Sequence, residues 1–223
     1  MKLLVLADRE EMSLWDYYRP AKTEGVDLII SCGDLDPDYL EFLVTVVNTP
    51  LVYVRGNHDG RYDTKEPLGC DDIDDRIYNF HGLRILGLGG SYRYRPGNDM
   101  YTEKEMQKRI RKLRGLLQFT GGFDILVTHA PCEGYGDLED LPHKGFSAFN
   151  DLLEQYRPKY MFHGHVHEEY GDFQREIVHP CGTRIINACG SVTIDIDAGE
   201  YPEEGKTGSF FYDWFILNRK QKR

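Results

Sequence analysis

Five short apolar runs, each closed by an Asp, Asn or His, set the pattern of this sequence. The runs are Leu3-Leu4-Val5-Leu6, Leu28-Ile29-Ile30, Leu51-Val52-Tyr53-Val54, Ile125-Leu126-Val127 and Tyr160-Met161-Phe162. They are β-like in length and composition. Their polar ends read Asp8-Arg9-Glu10, Gly33-Asp34, Gly56-Asn57-His58-Asp59, Thr128-His129 and Gly164-His165-Val166-His167. Strands that stop this way gather their polar ends along one sheet edge, where an open α/β sheet keeps its ligand site. Helix-like stretches lie between them. Met12 to Lys22 predicts one helix; Pro37 to Val47 predicts another, with Asp36 as its N-cap. Leu83 to Leu88 predicts a further strand before the turn Gly87 to Gly90. Thr102 and Glu105 have the spacing of a capping box opening a helix to Leu117, and Phe146 to Tyr156 predicts another helix, ended by Pro158.

After His167 the pattern changes. Ile177-Val178, Arg184 to Ile186, Ser191 to Ile196 and Phe210 to Leu217 predict consecutive strands separated by Gly and Pro turns. A βα-rich front half and a β-rich back half predict two sheets packed face to face with helices outside. No repeat or linker divides the chain, so one domain over 1–223 is expected.

Composition adds bounds. Hydrophobic residues at 40% and charged residues at 29% suit a globular protein. A net charge of −10 argues against a general binder of nucleic acid or anionic membrane, while leaving room for a local basic patch. Five cysteines without CxxC spacing read as free thiols of a reducing compartment. The first apolar run ends by Asp8, too short for a signal peptide or a membrane span. A cytoplasmic location is the expectation.

The clustered residues define a chemistry. Asp8, Glu10 and Asp34 offer carboxylates, Asn57 an amide oxygen, and His129, His165 and His167 imidazoles. Such mixed N/O ligands suit Mn²⁺, Fe²⁺, Zn²⁺ or Ni²⁺ better than Cu(I) or Ca²⁺. Seven ligands are too many for one ion that keeps an open position. They suit two ions sharing a bridging carboxylate, roughly 3.5–4 Å apart, which clamp both oxygens of an in-line phosphoryl displacement.

The order Asp-x-Glu, Gly-Asp, Gly-Asn-His-Asp, Thr-His, Gly-His-x-His resembles the calcineurin-like metallophosphoesterase superfamily, with motifs from Asp8 to His167. The resemblance implies an αββα sandwich of two mixed β-sheets flanked by helices, with the β-rich tail forming the second sheet. It implies that Asp8, Glu10 and His167 hold one ion, that Asn57, His129 and His165 hold the other, and that Asp34 bridges them. A metal-bridging hydroxide would attack the phosphorus of a small phosphorylated substrate, a monoester or diester. His58 would be the non-ligand proton donor, with Asp59 its candidate orienter. The family has Asp-x-His at its first motif, whereas this chain has Asp8-Arg9-Glu10. A third carboxylate brings two divalent ions and a hydroxide to zero formal charge, which favours Mn²⁺ or Fe²⁺. Glu11 is a second candidate for that position.

Other segments carry weaker signals. Ser91 to Gly97 places Arg93 and Arg95 among tyrosines, as a phosphate clamp or as a salt-bridged loop. The loop Glu133 to Lys144 offers a substrate rim, with His143 a candidate contact. His81 and His179 read as structural. The basic helix Lys104 to Arg114, with Arg109, reads as a solvated face in preference to a nucleic-acid patch. Lys220 to Arg223 reads as a soluble tail, fraying from Arg219. Two alternatives to a hydrolase of small esters stand: an inactive scaffold for partner proteins, and a nuclease. His58, which a scaffold has no need to keep, favours the enzyme.

Overall fold

Continuous apolar runs form strands buried on both faces, and these build two sheets. A computed structural model describes residues 1–170 and 173–220. In chain order, the front half holds β1 (Lys2–Ala7), β2 (Leu28–Ser31), α1 (Pro37–Val47), β3 (Leu51–Tyr53), β4 (Cys70–Asp72), β5 (Ile77–Phe80) and β6 (Leu83–Leu88). Next come β7 (Ser91–Tyr92), β8 (Met100–Tyr101), α2 (Glu103–Lys112), α3 (Arg114–Thr120), β9 (Ile125–Thr128) and α4 (Ser147–Tyr156). The remainder holds β10 (Tyr160–His163), β11 (Glu176–Val178), β12 (Arg184–Asn187), β13 (Gly190–Asp195) and α5 (Phe210–Lys220).

The first sheet has the order β13-β1-β2-β3-β4 and the second β11-β12-β10-β9-β6-β5. The inner strands run parallel, and antiparallel β13, β11 and β5 lie at the edges. Both sheets are therefore mixed. Side-chain alternation sets the layers. Leu3, Val5 and Ala7 face the second sheet's Ile85, Val127 and Phe162 in the central core. Leu4 and Leu6 face outward onto Tyr39, Leu40 and Leu43 of α1. Leu86, Leu126 and Met161 face Met106, Leu117 and Phe149 on the other side. The result is the αββα sandwich expected.

Local signals held where capping chemistry was explicit. The Asp36 side chain accepts from the Asp38 amide at the start of α1, and Thr102 and Glu105 form the full capping box of α2. Four expectations need correction. The tail does not make the second sheet: β13 joins the first sheet, while β11 and β12 extend the second. Phe210 to Leu217 is helical, because an apolar run interrupted only at Asp213 carries too little periodicity to separate strand from helix. Met12 to Lys22 forms two short 3₁₀ turns, Met12–Leu14 and Pro20–Lys22, while Trp15 and Tyr18 pack edge-on against Phe42. The predicted helix to Leu117 divides at Leu113. Arg219 and Lys220 belong to α5; residues 221–223 of the predicted tail lie outside the described residues.

Candidate metal centre

The strand ends meet at the edge shared by the two sheets, through unusual backbone. Asp8, Asp34 and His165 all have left-handed φ, at 62°, 59° and 69°. For non-glycine residues this costs about 1–3 kcal/mol each, and such strain collects at functional sites. Asp8 and His165 also centre three-residue turns, closed by Arg9 N–H to Ala7 O at 2.6 Å and Val166 N–H to Gly164 O at 2.9 Å. Each turn brings the side chain off the strand end. Glycine permits the close approach: a Cβ on Gly164 would overlap Ala7 and the Asp8 carboxylate, and one on Gly56 would overlap Asp34 and His129.

The two histidine tautomers are fixed by carbonyls. His129 Nδ1 donates to Cys32 O at 2.8 Å, and His165 Nε2 donates to Pro142 O at 2.7 Å. A carbonyl accepts only, so His129 Nε2 and His165 Nδ1 are left as lone pairs, 3.1 Å apart. Asn57 Oδ1 lies 3.1 Å from His129 Nε2, and Asp34 Oδ2 lies 3.3 Å from it. Asp34, His129 and His165 place ligand atoms within 4.8 Å of one another. With both rings neutral, four acceptors converge without a donor among them. Such a cluster demands positive charge, which a divalent ion supplies.

Acidity reports the same demand. Burial opposes charge on His129, yet Asp34 and behind it Asp8 push its pKa up to about 10. Burial alone would raise Asp34, but His129 and the His58 amide hold it down to about 2. Burial, then the charge of His129, pushes His165 down to about 3. The other predicted ion site is looser: His167 Nε2 lies 3.7 Å from Asp8 Oδ1, and the fully buried Asp8 carboxylate accepts the His165 amide at 2.9 and 3.0 Å.

Asp8, Asp34, Asn57, His58, His143, His165 and His167 line one cleft of about 270 Å³, with buried His129 behind them. Glu10 is not among them. Its carboxylate accepts the Asp36 amide at 3.3 Å, while Glu11 is held by Ser13, Lys22 and Ser191. Asp59 is placed differently from the expectation. Its Oδ2 accepts the amides of Asp34 at 2.8 Å and Gly56 at 2.7 Å, tying two site loops together instead of orienting the His58 ring. Burial and the nearby Asp34 charge push its pKa up to about 6.

The arginine segment also departs from expectation. Arg93 is committed to Met100 O and Glu105, and neither Arg93 nor Arg95 lines the cleft. Tyr94 lines it instead, its hydroxyl 3.5 Å from Asn57 Nδ2, with the Arg95 guanidinium 5.3 Å from its ring. Tyr170 was missed too; it stacks on His167 at 5.5 Å and contacts His143 at 4.6 Å. The predicted rim loop carries Pro142 and His143 to the cleft, with His143 Nδ1 bonded to Asp140. Arg109 is buried against Asp74, Asp75 and Gly89 O, so it belongs to no solvated face.

The two-sheet α/β sandwich thus carries on its shared edge a carboxylate–imidazole cluster able to hold a metal ion. The family model for calcineurin-like phosphoesterase matches residues 9–169, and the chain belongs to that family. It is 23% identical over 171 residues to UPF0046 protein C25E10.12 of Caenorhabditis elegans, covering 63% of this chain and 58% of the relative. It is 40% identical over 101 residues to UPF0046 protein T07D4.2 of the same organism, covering 44% of this chain and 24% of the relative. The chain thus spans less than two thirds of either relative. One solved crystal structure superposes with a TM-score of 0.64 at 13% identity, covering 87% of this chain and 94% of that one, which supports the fold. Among the described residues no helix is long and apolar enough to cross a membrane.

Proposed function

We propose that this protein hydrolyses phosphoric esters with two divalent ions. The observation that carries the reading is the convergence of Asp34, Asn57 Oδ1, His129 Nε2 and His165 Nδ1, with both histidine tautomers fixed from behind. Asn57, His129 and His165 would hold one ion, Asp8 and His167 the other, with Asp34 shared. Glu10 becomes a ligand only by turning into the cleft that it does not line, so the preference for Mn²⁺ or Fe²⁺ over Zn²⁺ or Ni²⁺ rests on that movement. Bound divalent ions supply Lewis acidity towards phosphoryl oxygens and lower the pKa of water.

The protein's own groups do the rest. The His58 amide donates to Asp34 Oδ1 at 2.8 Å, which fixes His58 beside the cluster without making its ring a ligand. Its imidazole N–H is then free to donate to the leaving oxygen. Tyr94 and Tyr170 wall the cleft and exclude water from the phosphoryl group. With His143 Nδ1 committed to Asp140, Nε2 is the nitrogen available to a substrate oxygen. A cleft of about 270 Å³ fits a small phosphorylated molecule.

The test is hydrolysis of an aryl phosphomonoester and an aryl phosphodiester by metal-stripped protein given Mn²⁺, Fe²⁺, Ni²⁺, Zn²⁺ or Mg²⁺. Metal-dependent turnover is expected, and His58→Ala should lower kcat by about 10²–10⁴-fold while metal affinity is kept. Turnover unchanged in His58→Ala would remove the proton-donor role. No turnover of either ester with any metal would overturn the activity.

A further inference from the structure

The helix α5 is docked the wrong way round for a soluble surface. Its inward position is Tyr212, 5% exposed, whose hydroxyl accepts from Asn79 Nδ2 at 2.8 Å. Asp213 caps the preceding turn through the Thr207 and Gly208 amides. The outward positions are apolar: Phe210 is 76% exposed, Phe211 71%, Trp214 61%, Phe215 46% and Leu217 48%. Phe119 of α3, also exposed, touches Phe215 and widens the patch. Spacings of one, four and seven residues put these side chains on one broad face. Aromatic side chains bury 150–250 Å² each, so on the order of 500 Å² of apolar surface is open here. That is near the upper end for a monomer, where such patches mark interaction sites.

Charge identifies the occupant. The sequence continues through Arg219, Lys220, Lys222 and Arg223, four cations in five residues of a chain whose net charge is −10. Phe and Trp followed in sequence by clustered Lys and Arg suit a bilayer boundary, where rings enter the acyl edge and cations meet anionic headgroups. We propose that α5 docks this protein on an anionic membrane surface. The expectation of no membrane contact averaged charge over the whole chain, whereas attraction is screened within about 8 Å at physiological salt and is therefore local.

The placement suits a working cleft. Ser209 Oγ, just before α5, donates to Phe119 O at 2.6 Å, near the start of β9. His129 follows the other end of β9, so the aromatic face and the cleft lie at opposite ends of the sheet. A docked molecule keeps its cleft open to water and to soluble substrate.

The experiment is flotation of the full chain with vesicles of phosphatidylcholine alone, or of phosphatidylcholine with phosphatidylserine, at low and high salt. Binding to the anionic vesicles only, weakened by salt, is expected. Trp214→Ser and the pair Lys220→Gln with Lys222→Gln should each reduce partitioning at least tenfold with unchanged melting temperature. A blue shift of tryptophan emission on adding anionic vesicles is a second readout in the unaltered chain, because Trp15 is already packed against Tyr39 and Phe42. No binding, equal binding to neutral vesicles, or equal binding by both variants would overturn the proposal. So would vesicle-independent dimerisation abolished by Trp214→Ser, which would assign the face to a second copy.

Discussion

Asp59 illustrates how neighbours in sequence mislead about neighbours in space. Adjacency to His58 suggests an orienting carboxylate, but Asp59 opens a 3₁₀ turn and sends its side chain back under the loops of Asp34 and Gly56. One oxygen takes both amides. An Asn can offer one carbonyl oxygen to both amides, whereas an Ala offers none. Asp59→Ala should therefore cost about 1–3 kcal/mol of stability. It should also weaken Mn²⁺ binding about 10- to 100-fold, as loss of groups that orient ligands does. Denaturant melts and calorimetric titration check the two effects. Unchanged values in both would remove the clamp. The gathering of residues 8, 34, 57, 129, 165 and 167 at one cleft was legible because each follows a strand run. Left-handed φ at Asp8, Asp34 and His165 was not, since the mild preference of Asp and His for such backbone is too weak to locate it. Nor was the Glu10 contact with Asp36, which depends on how two loops meet.

At the scale of elements, strands were legible where runs were continuous, and helices where caps were explicit. The weaker strands β4 and β5 were not, for Cys70-Asp71-Asp72 and Ile77 to Phe80 lack long apolar runs. The same limit applies to α5, whose composition satisfies strand and helix alike. The join between β6 and β9 was equally hidden. There Arg84 makes a two-pronged pair with Asp124, at 3.0 and 2.7 Å, and also donates to Thr120 O and Gly121 O. Both side chains are nearly inaccessible, at 8% and 11% exposure. Removing one partner leaves a buried charge and two carbonyls unmet. Arg84→Met is expected to lose about 3–5 kcal/mol, readable in a urea melt. A loss under about 1 kcal/mol, the range of an exposed pair, would show that water reaches the site.

For the whole molecule, topology explains what a linear reading divides wrongly. The break after His167 looked like a boundary between sheets, yet β13 returns to pair with β1 over Lys2–Ala7, and β12 pairs with β10. These long-range pairings bring the strand ends of two sheets to one edge, so the metal centre belongs to the sandwich as a whole. The measurement that tests the central claim most directly is titration of the metal-stripped chain with Mn²⁺, read as ions bound per chain, beside Asp34→Asn. Two ions in the unaltered chain and loss of both in Asp34→Asn are expected, since that carboxylate is shared. A single ion bound, or two retained by the variant, would contradict a bridged pair.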